Sequence, residues 1–280
     1  MRVAARPTER FFYGWVIVLV GAVLTFLGTG FYSYSRGVFL PSLAEELAGG
    51  SRFEIAMGFS IAAVTSALVA PFIGGILDKY SPKTVILVGI GFVTGSYLLL
   101  SFCQNLIQFY LIVGLGMGLG MTCMGNLAWH RTIISWFDHW RGRAISLGVL
   151  GASLAGVVMP PLVTSLVEAI GWRSAFVVFA IIVPSILIPL VVYFLKNRPE
   201  EIGEVRDGLV YSEAHKTTEV EDQAESRIWH WKEMIRFPAF WSIGLMFGAM
   251  GCVYSAVMLH LFGHLTDIGL PGSEAAYILS

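Results

Sequence analysis

Six long stretches without a charged side chain constrain this sequence more than any other feature. No Asp, Glu, Lys or Arg occurs within 11–35, 55–77, 84–130, 144–167, 174–195 or 237–266. A helix needs about 20 apolar residues to cross the hydrocarbon core of a bilayer, and five of the six stretches match one crossing each. Only 13% of the residues are charged, whereas a soluble domain carries about 25%. The sequence therefore predicts an all-α polytopic membrane protein.

The stretch 84–130 is too long for one crossing, and its polar residues between Ser101 and Gln108 predict a turn inside it. Helices are the expected form because each unpaired backbone group in lipid costs several kcal/mol. The stretches are also too long for barrel strands. Seven crossings are predicted, at about 12–34, 55–77, 84–103, 108–130, 144–168, 174–195 and 239–265. An eighth helix is expected to begin near Glu274.

The spacing of the crossings predicts three segments. Residues 1–195 form a six-span bundle, 196–238 form a polar cytoplasmic linker, and 239–280 hold the seventh span and the beginning of an eighth. Within the linker, Trp and basic residues at 228–236 predict a helix on the membrane surface. A six-span bundle, a long loop and a new span are the layout of a two-lobed transporter, here with the second lobe truncated.

The distribution of Lys and Arg predicts the orientation. All but three of the 18 basic residues, Arg36, Arg52 and Arg173, lie on the side of the N-terminus. Basic residues concentrate in cytoplasmic loops, so the N-terminus is expected in the cytoplasm of a multi-pass plasma-membrane protein. The net charge of -1 suggests no nucleic-acid partner. The three cysteines have no metal-ligand spacing, and no metal or cofactor is expected.

The segment Gly74-Gly-Ile-Leu-Asp-Lys-Tyr-Ser-Pro-Lys83 resembles the loop signature of the major facilitator superfamily. Gly74, Asp78, Lys79 and Lys83 match that signature, and Ser81 stands where the family usually has Gly. Gly74 is expected to let the loop approach a neighbouring helix. Asp78 is expected to pair with a helix N-terminus or with an Arg of the next bundle, as a latch on the inner face. An ordinary charged loop is the alternative.

A second pattern is more specific. It comprises Trp136-Phe-Asp-His-Trp-Arg141-Gly-Arg143, glycines at 148, 151 and 156, Pro160-Pro161 and Gly171-Trp-Arg173. The pattern looks like the monocarboxylate transporter and oxalate–formate antiporter branch. This resemblance implies a twelve-span protein that moves a small organic anion, monocarboxylate or dicarboxylate, with a proton or in exchange for another anion. It also places Arg141 with the conformational loop of the inner face.

An anion that crosses the membrane needs positive charge or hydrogen-bond donors within the bilayer. Arg36 is the first candidate for this role, because intramembrane charge is costly and so indicates function. The alternative is that Arg36 extends to the lipid headgroups. Asn126, deep in the fourth span, is a second candidate donor, with an interhelical hydrogen bond as the alternative. Tyr254 and His260 in the seventh span are expected to line the path from the second lobe, unless they serve packing.

Spans one to six contain no buried Asp or Glu, so this part of the chain offers no obvious proton-coupling carboxylate. In the family that role belongs to an acidic–basic pair on the eighth span; a uniporter or exchanger would need none. A membrane enzyme or haem–quinone protein is disfavoured because His130 and His260 lie toward opposite sides. A facilitator for another small solute and a receptor-like member that does not transport remain open.

Overall fold

The computed structural model describes residues 12–208, 233 and 236–279, and it contains no strand within them. Within the described residues six helices are α1 Gly14–Leu47, α2 Arg52–Lys79, α3 Pro82–Ser101, α4 Leu106–Trp136, α7 Pro238–Asp267 and α8 Gly272–Leu279. The run Arg141–Phe194 bends at Gly171, where φ is 75° and ψ is 161°. Its arm before Gly171 is α5 and its arm after Gly171 is α6. The predicted fold class, a membrane-spanning six-helix bundle followed by the start of a second, is confirmed.

The helices run up and down, so their turns fall at two ends of the bundle. The Asp78 end holds the α2–α3 and α4–α5 turns, and the Arg52 end holds the α1–α2, α3–α4 and α5–α6 turns. At the Arg52 end Asn105 begins α4, where its side chain accepts the Gln108 N–H at 2.9 Å. Gln108 in turn accepts the Gln104 N–H at 2.9 Å. This reciprocal capping satisfies N–H groups that a helix start otherwise leaves open.

Two helix ends lie beyond the predicted ones. The first crossing was predicted to end at 34, but α1 continues to Leu47 through a π-helical turn at Gly30–Tyr34. The fourth was predicted to end at 130, but α4 continues to Trp136 after an interruption at Gly125. A charged residue ends an apolar stretch, but the backbone hydrogen bonds of the helix continue past it. Charge spacing alone therefore underestimates the length of both helices.

Aromatic rings fill the centre of the bundle near the Arg52 end. Phe31 and Phe39 of α1 meet Phe179 of α6 with ring centroids 4.1 and 5.8 Å apart. Phe39 also stacks on Phe176 at 4.4 Å, and Tyr97 of α3 stacks on Phe176 at 6.0 Å. Such pairs contribute about 0.5–1.5 kcal/mol each beyond burial, and here they hold α1, α3 and α6 together.

Glycines set the helix spacings elsewhere in the bundle. Gly151 of α5 faces the Ala22 carbonyl of α1, and a methyl group at 151 would lie 1.9 Å from that oxygen. The glycines of α4 face α2 and α3 in the same way: a Cβ on Gly118 would lie 2.9 Å from the Ala62 carbonyl. Small residues allow this close approach in lipid, where packing replaces the hydrophobic driving force.

The first part of the linker is bound to the Asp78 end. Glu204 accepts the Tyr13 N–H at 3.1 Å, ahead of the first turn of α1. Asp207 accepts the N–H groups of Asp138 and His139 at 3.0 and 2.7 Å, ahead of α5. Burial and then the Glu204 charge raise the pKa of the Tyr13 phenol. Both carboxylates thus sit where helix dipoles favour negative charge. Most of the predicted surface helix at 228–236 lies outside the described residues.

Candidate functional site

Arg36 lies within α1, directly after the π-helical turn Gly30–Tyr34. It lies eleven positions before the end of α1 at Leu47, in the half of the bundle nearer the Arg52 end. Only 9% of Arg36 is exposed, so its side chain is buried within the bundle in this conformation. π-Helical turns are rare and concentrate at functional sites, because they redirect the side chains that follow.

The guanidinium of Arg36 is only partly satisfied. Its Nη2 donates to the Ser255 carbonyl of α7 over a long 3.4 Å, and its buried Nε has no hydrogen-bond partner in the part of the chain that the structure describes. Among the described residues no Asp or Glu pairs with it, and the polar side chains that act on it are the phenols of Tyr32 and Tyr254. A buried unpaired cation is costly, so the arrangement is suited to an anion supplied from elsewhere.

The space beside Arg36 is small. A cavity of about 20 Å³ is bounded by Arg36 and Tyr32 and by apolar side chains of the bundle such as Phe59 and Phe109. A water molecule needs roughly 10–15 Å³ on this measure, so the cavity has room for one water and not for a carboxylate. In this conformation an anion therefore reaches the Nε of Arg36 only if a neighbouring helix or ring moves.

The other predicted substrate-binding residues are distributed around this point. Tyr254 interacts with Tyr34 and Arg36, so the structure brings these three together. Asn126 follows the break in α4 at Gly125, and its exposed side chain makes no hydrogen bond to a described residue. The predicted alternative of an interhelical hydrogen bond is thus not seen for it. His260 is exposed on α7, six residues beyond Tyr254 and closer to the Arg52 end.

The Asp78 loop makes different contacts from those expected. Asp78 accepts a hydrogen bond from Arg131 at 2.6 Å, and Arg131 belongs to α4 of the same bundle, not to the next one. Lys83 binds the end of α6: its Nζ donates to the Val192 carbonyl at 2.6 Å. Gly74 lies inside α2 with open space around it, so the predicted close approach is absent. Ser81, the departure from the family signature, accepts the Thr84 N–H and starts α3.

Arg141 closes its own turn instead of reaching the Asp78 loop. It pairs with Asp138 at 2.8 Å, and its Nε donates to the Phe137 carbonyl at 2.9 Å. Lys79 is exposed beside Asp78 and has no ion-pair partner among the described residues. The Asp78–Arg131 ion pair thus joins α2 to α4, and the hydrogen bond from Lys83 to the Val192 carbonyl joins α3 to α6. Both contacts link helix ends at the Asp78 end.

Two polar clusters at the Arg52 end were not predicted. Arg52 of α2 donates to both carboxylate oxygens of Asp267 at the end of α7, at 2.5 and 2.7 Å. Glu46 of α1 accepts a hydrogen bond from Trp172 at 2.7 Å and pairs with Arg173, both in the first turn of α6. The sequence did contain one signal for these clusters. The charged residues of each cluster flank the charge-free stretches, and the predicted orientation places them on the same side of the membrane.

Together, helices that are long and apolar enough to cross a membrane and a charged loop between α2 and α3 define a polytopic membrane protein. The sequence model of the family described as "Major Facilitator Superfamily" matches residues 22–280, which is most of the chain. The chain belongs to this family of transporters. The expected fold and family are confirmed, whereas the monocarboxylate and oxalate–formate branch stays a prediction.

Similar proteins are distant in sequence. A "Probable L-galactonate transporter" of Escherichia coli is 24% identical over 86% of this chain and 51% of its own length. "Monocarboxylate transporter 11" of Mus musculus is 26% identical over 58% of this chain and 36% of its own. The chain spans between 34% and 62% of the length of these curated relatives and of the others considered with them. The crystal structure of a bacterial homologue of the human lysosomal transporter Spinster shares the fold, with a TM-score of 0.66, 15% identity and coverage of 98% of this chain and 59% of that one.

Proposed function

We propose that this protein moves a small organic anion, a monocarboxylate or dicarboxylate, across the membrane by alternating access. The observation that carries the proposal is Arg36, a buried guanidinium whose Nε has no partner among the described residues. Arg keeps its charge in proteins and presents a fork of N–H donors that matches a carboxylate. A bound carboxylate would satisfy the Nε and compensate the buried charge.

Two relatives support an anionic substrate by name. One is called a probable galactonate transporter and the other a monocarboxylate transporter, and both names denote organic acids that are ionised near neutral pH. On this chain we assign the anion to Arg36, with Tyr254, Asn126 and His260 as further polar groups along its path. A proton or a second anion is the proposed coupling partner.

The proposed architecture follows the predicted segments. Residues 1–195 move as one bundle against a second bundle that begins at 239, and 196–238 connect them on the cytoplasmic side. The Asp78 end faces the cytoplasm of a plasma-membrane protein, because most Lys and Arg residues lie at that end. The Asp78–Arg131 pair then belongs to the inner face, where it ties α2 to α4 while the bundle rotates.

Uptake into proteoliposomes tests the proposal. Full-length protein is reconstituted, and labelled lactate, pyruvate, formate, oxalate and L-galactonate are offered in turn. Arg36→Gln is expected to lower uptake of the transported anion about tenfold or more, since a hydrogen bond to a charged group is worth roughly 1.5–3 kcal/mol. Arg36→Lys should keep part of the activity. Arg143→Gln, which removes an exposed cation over the Trp140 ring, is the matched control and should transport normally.

Each other result has a defined meaning. Unchanged affinity and rate in Arg36→Gln would show that Arg36 is only structural. Uptake restricted to an uncharged solute would make the protein a facilitator of another kind. Saturable binding of an anion without accumulation inside the vesicles would indicate a receptor-like member of the family.

A further inference from the structure

His130 of α4 is the one histidine within the helices of the six-span bundle. Histidine is the side chain that ordinarily changes its charge between about pH 5 and pH 8. His130 lies six positions before the end of α4 at Trp136, about 9 Å along the helix axis from the Asp78 end. Arg36 lies in the opposite half of the bundle, so the proposed substrate site leaves this titratable group unused.

The neighbouring Trp129 fixes the position of His130. Trp129 is buried, and its ring lies between Gly21 of α1 and Gly148 of α5, where an added Cβ would be 2.5 and 2.0 Å from ring atoms. The rings of Trp129 and His130 have their centroids 5.4 Å apart. Because the indole fills the space between the two glycines, the backbone of α4 is held in place here, and the imidazole with it.

The imidazole of His130 lacks a partner. Its Nε2 is buried and makes no hydrogen bond to a described residue, and no charged side chain among those residues acts on the ring. The ionisable groups on the segments around this part of α4 are Tyr13, Asp78, Lys83, Arg131, Asp138, Arg141, Arg143, Lys196, Arg206 and Asp207. The carboxylates among them are already bound, by Arg131, by Arg141 and by backbone N–H groups. A protonated ring would therefore need an anion from elsewhere to offset its buried charge.

Asn126 lies one helical turn from His130 on the same side of α4. Its amide is exposed and makes no hydrogen bond to a described residue, whereas Ala128 and Thr132 on the opposite side are fully buried. An unpaired amide is costly against lipid, so this side of α4 is suited to a water-filled path. The amide and the ring stand about 6 Å apart along the axis, and both can donate to one carboxylate when the ring is protonated.

We propose that His130 binds the transported proton and, with Asn126, forms a second station for the anion in the half of the bundle nearer the Asp78 end. This inference rests on the proposed function and specifies its coupling partner. A ring nitrogen takes up the proton, the charged ring binds the carboxylate, and both are released to the same side, so a monocarboxylate and its proton move as a neutral pair. Because each stabilises the other, the proton raises the affinity for the anion and the anion raises that for the proton by the same factor.

Transport by the full-length protein in proteoliposomes tests this assignment in two modes. Exchange of labelled for unlabelled anion is measured with equal pH on both sides, at about pH 5.5 and at about pH 8.5, and it needs no net movement of protons. Net accumulation is driven by an acidic exterior with the membrane potential clamped, while a dye inside the vesicles records proton entry. Lactate, pyruvate, formate, oxalate and L-galactonate are offered singly in both modes.

In the parent protein the KM for exchange should be about tenfold lower at the acidic pH, a usual size for a coupling between two sites. His130→Gln carries no titratable group, so it should exchange with a KM independent of pH and should neither accumulate the anion nor admit protons. Asn126→Ala should raise the KM at the acidic pH only. His139→Gln, exposed in the turn between α4 and α5, is the matched control and should behave as the parent in both modes.

Four results would overturn the assignment, and they separate it from the proposed function. Accumulation still driven by acid in His130→Gln would place the proton on another group, and a KM independent of pH in the parent would remove the coupling; the proposed function survives both. Loss of exchange in both His130→Gln and His130→Asn would show that the ring is only structural. Absence of uptake of every anion in the parent would refute the proposed function together with the assignment.

Discussion

The contact between α1 and α5 gives the sharpest test of how this bundle is packed. In Gly151→Ala the new methyl carbon would lie 1.9 Å from the Ala22 carbonyl oxygen and 2.6 Å from Thr25 Oγ1. Such a carbon does not approach a heavy atom within 3.0 Å, so the helices must separate by about 1 Å or more. The separation also strains the hydrogen bond from Thr25 Oγ1 to the Gly148 carbonyl, now 2.9 Å.

The size of the effect follows from these contacts. Overpacking costs about 1–3 kcal/mol, and a weakened interhelical hydrogen bond adds roughly 0.6 kcal/mol. The higher helix propensity of Ala returns up to about 1 kcal/mol. The expected net loss of about 1–3 kcal/mol lowers the melting temperature by roughly 3–10 °C, measured by size-exclusion chromatography of heated, detergent-solubilised full-length protein.

The matched control is Gly91→Ala on α3. Gly91 is exposed, and an added Cβ would meet nothing within 4 Å. Only the helix-propensity gain applies there, so this variant should melt at the parent temperature or slightly above. Gly151→Ala as stable as Gly91→Ala would refute the reasoning, because it would mean that α1 and α5 do not meet at this position.

Three further predictions concern the turns and the loop. Gly171→Ala should lower the melting temperature, although the added Cβ would meet no atom within 4 Å. The reason is the backbone, since φ of 75° with ψ of 161° suits only Gly and costs another residue about 1–3 kcal/mol. Gly75→Ala, where the added Cβ is equally free of contacts but the backbone is helical, should leave the melting temperature unchanged. Asp207→Ala should lower the melting temperature, because the carboxylate that caps the start of α5 contributes about 1 kcal/mol to stability. Asp207→Asn keeps a hydrogen-bond acceptor and should retain most of that stability. Equal melting temperatures for the two variants would contradict a capping role. Asp78→Asn should slow uptake, and exchanging the charges of Asp78 and Arg131 should recover part of it; no recovery would argue against a role for the pair.

Much of the fold was predictable because lipid imposes one strict rule. A charge-free stretch of about 20 residues must be a helix, so the number and approximate position of the crossings follow from spacing alone. The ends were less predictable, since Arg36 interrupts the apolar stretch without interrupting α1. Backbone hydrogen bonds continue through a charged residue whose side chain finds a place inside the bundle.

The site was predictable in type but not in detail. Intramembrane charge singled out Arg36, yet only the fold reveals that its Nε lacks a partner among the described residues and that its Nη2 bonds the Ser255 carbonyl of α7. For Asp78 the sequence left a helix N-terminus and an Arg of the next bundle open as partners, whereas the structure pairs it with Arg131 of the same bundle, because the sequence does not say which helix ends are neighbours. The Arg52–Asp267 pair joins residues more than two hundred positions apart, and such pairing depends on helix arrangement.

A structure of the full-length protein with its transported anion tests the central claim most directly. We predict a carboxylate oxygen within about 3 Å of the Nε or an Nη of Arg36, with the Ser255 carbonyl no longer bonded to that guanidinium. An Asp or Glu side chain from elsewhere in the protein paired with Arg36, and the anion bound away from it, would contradict the account.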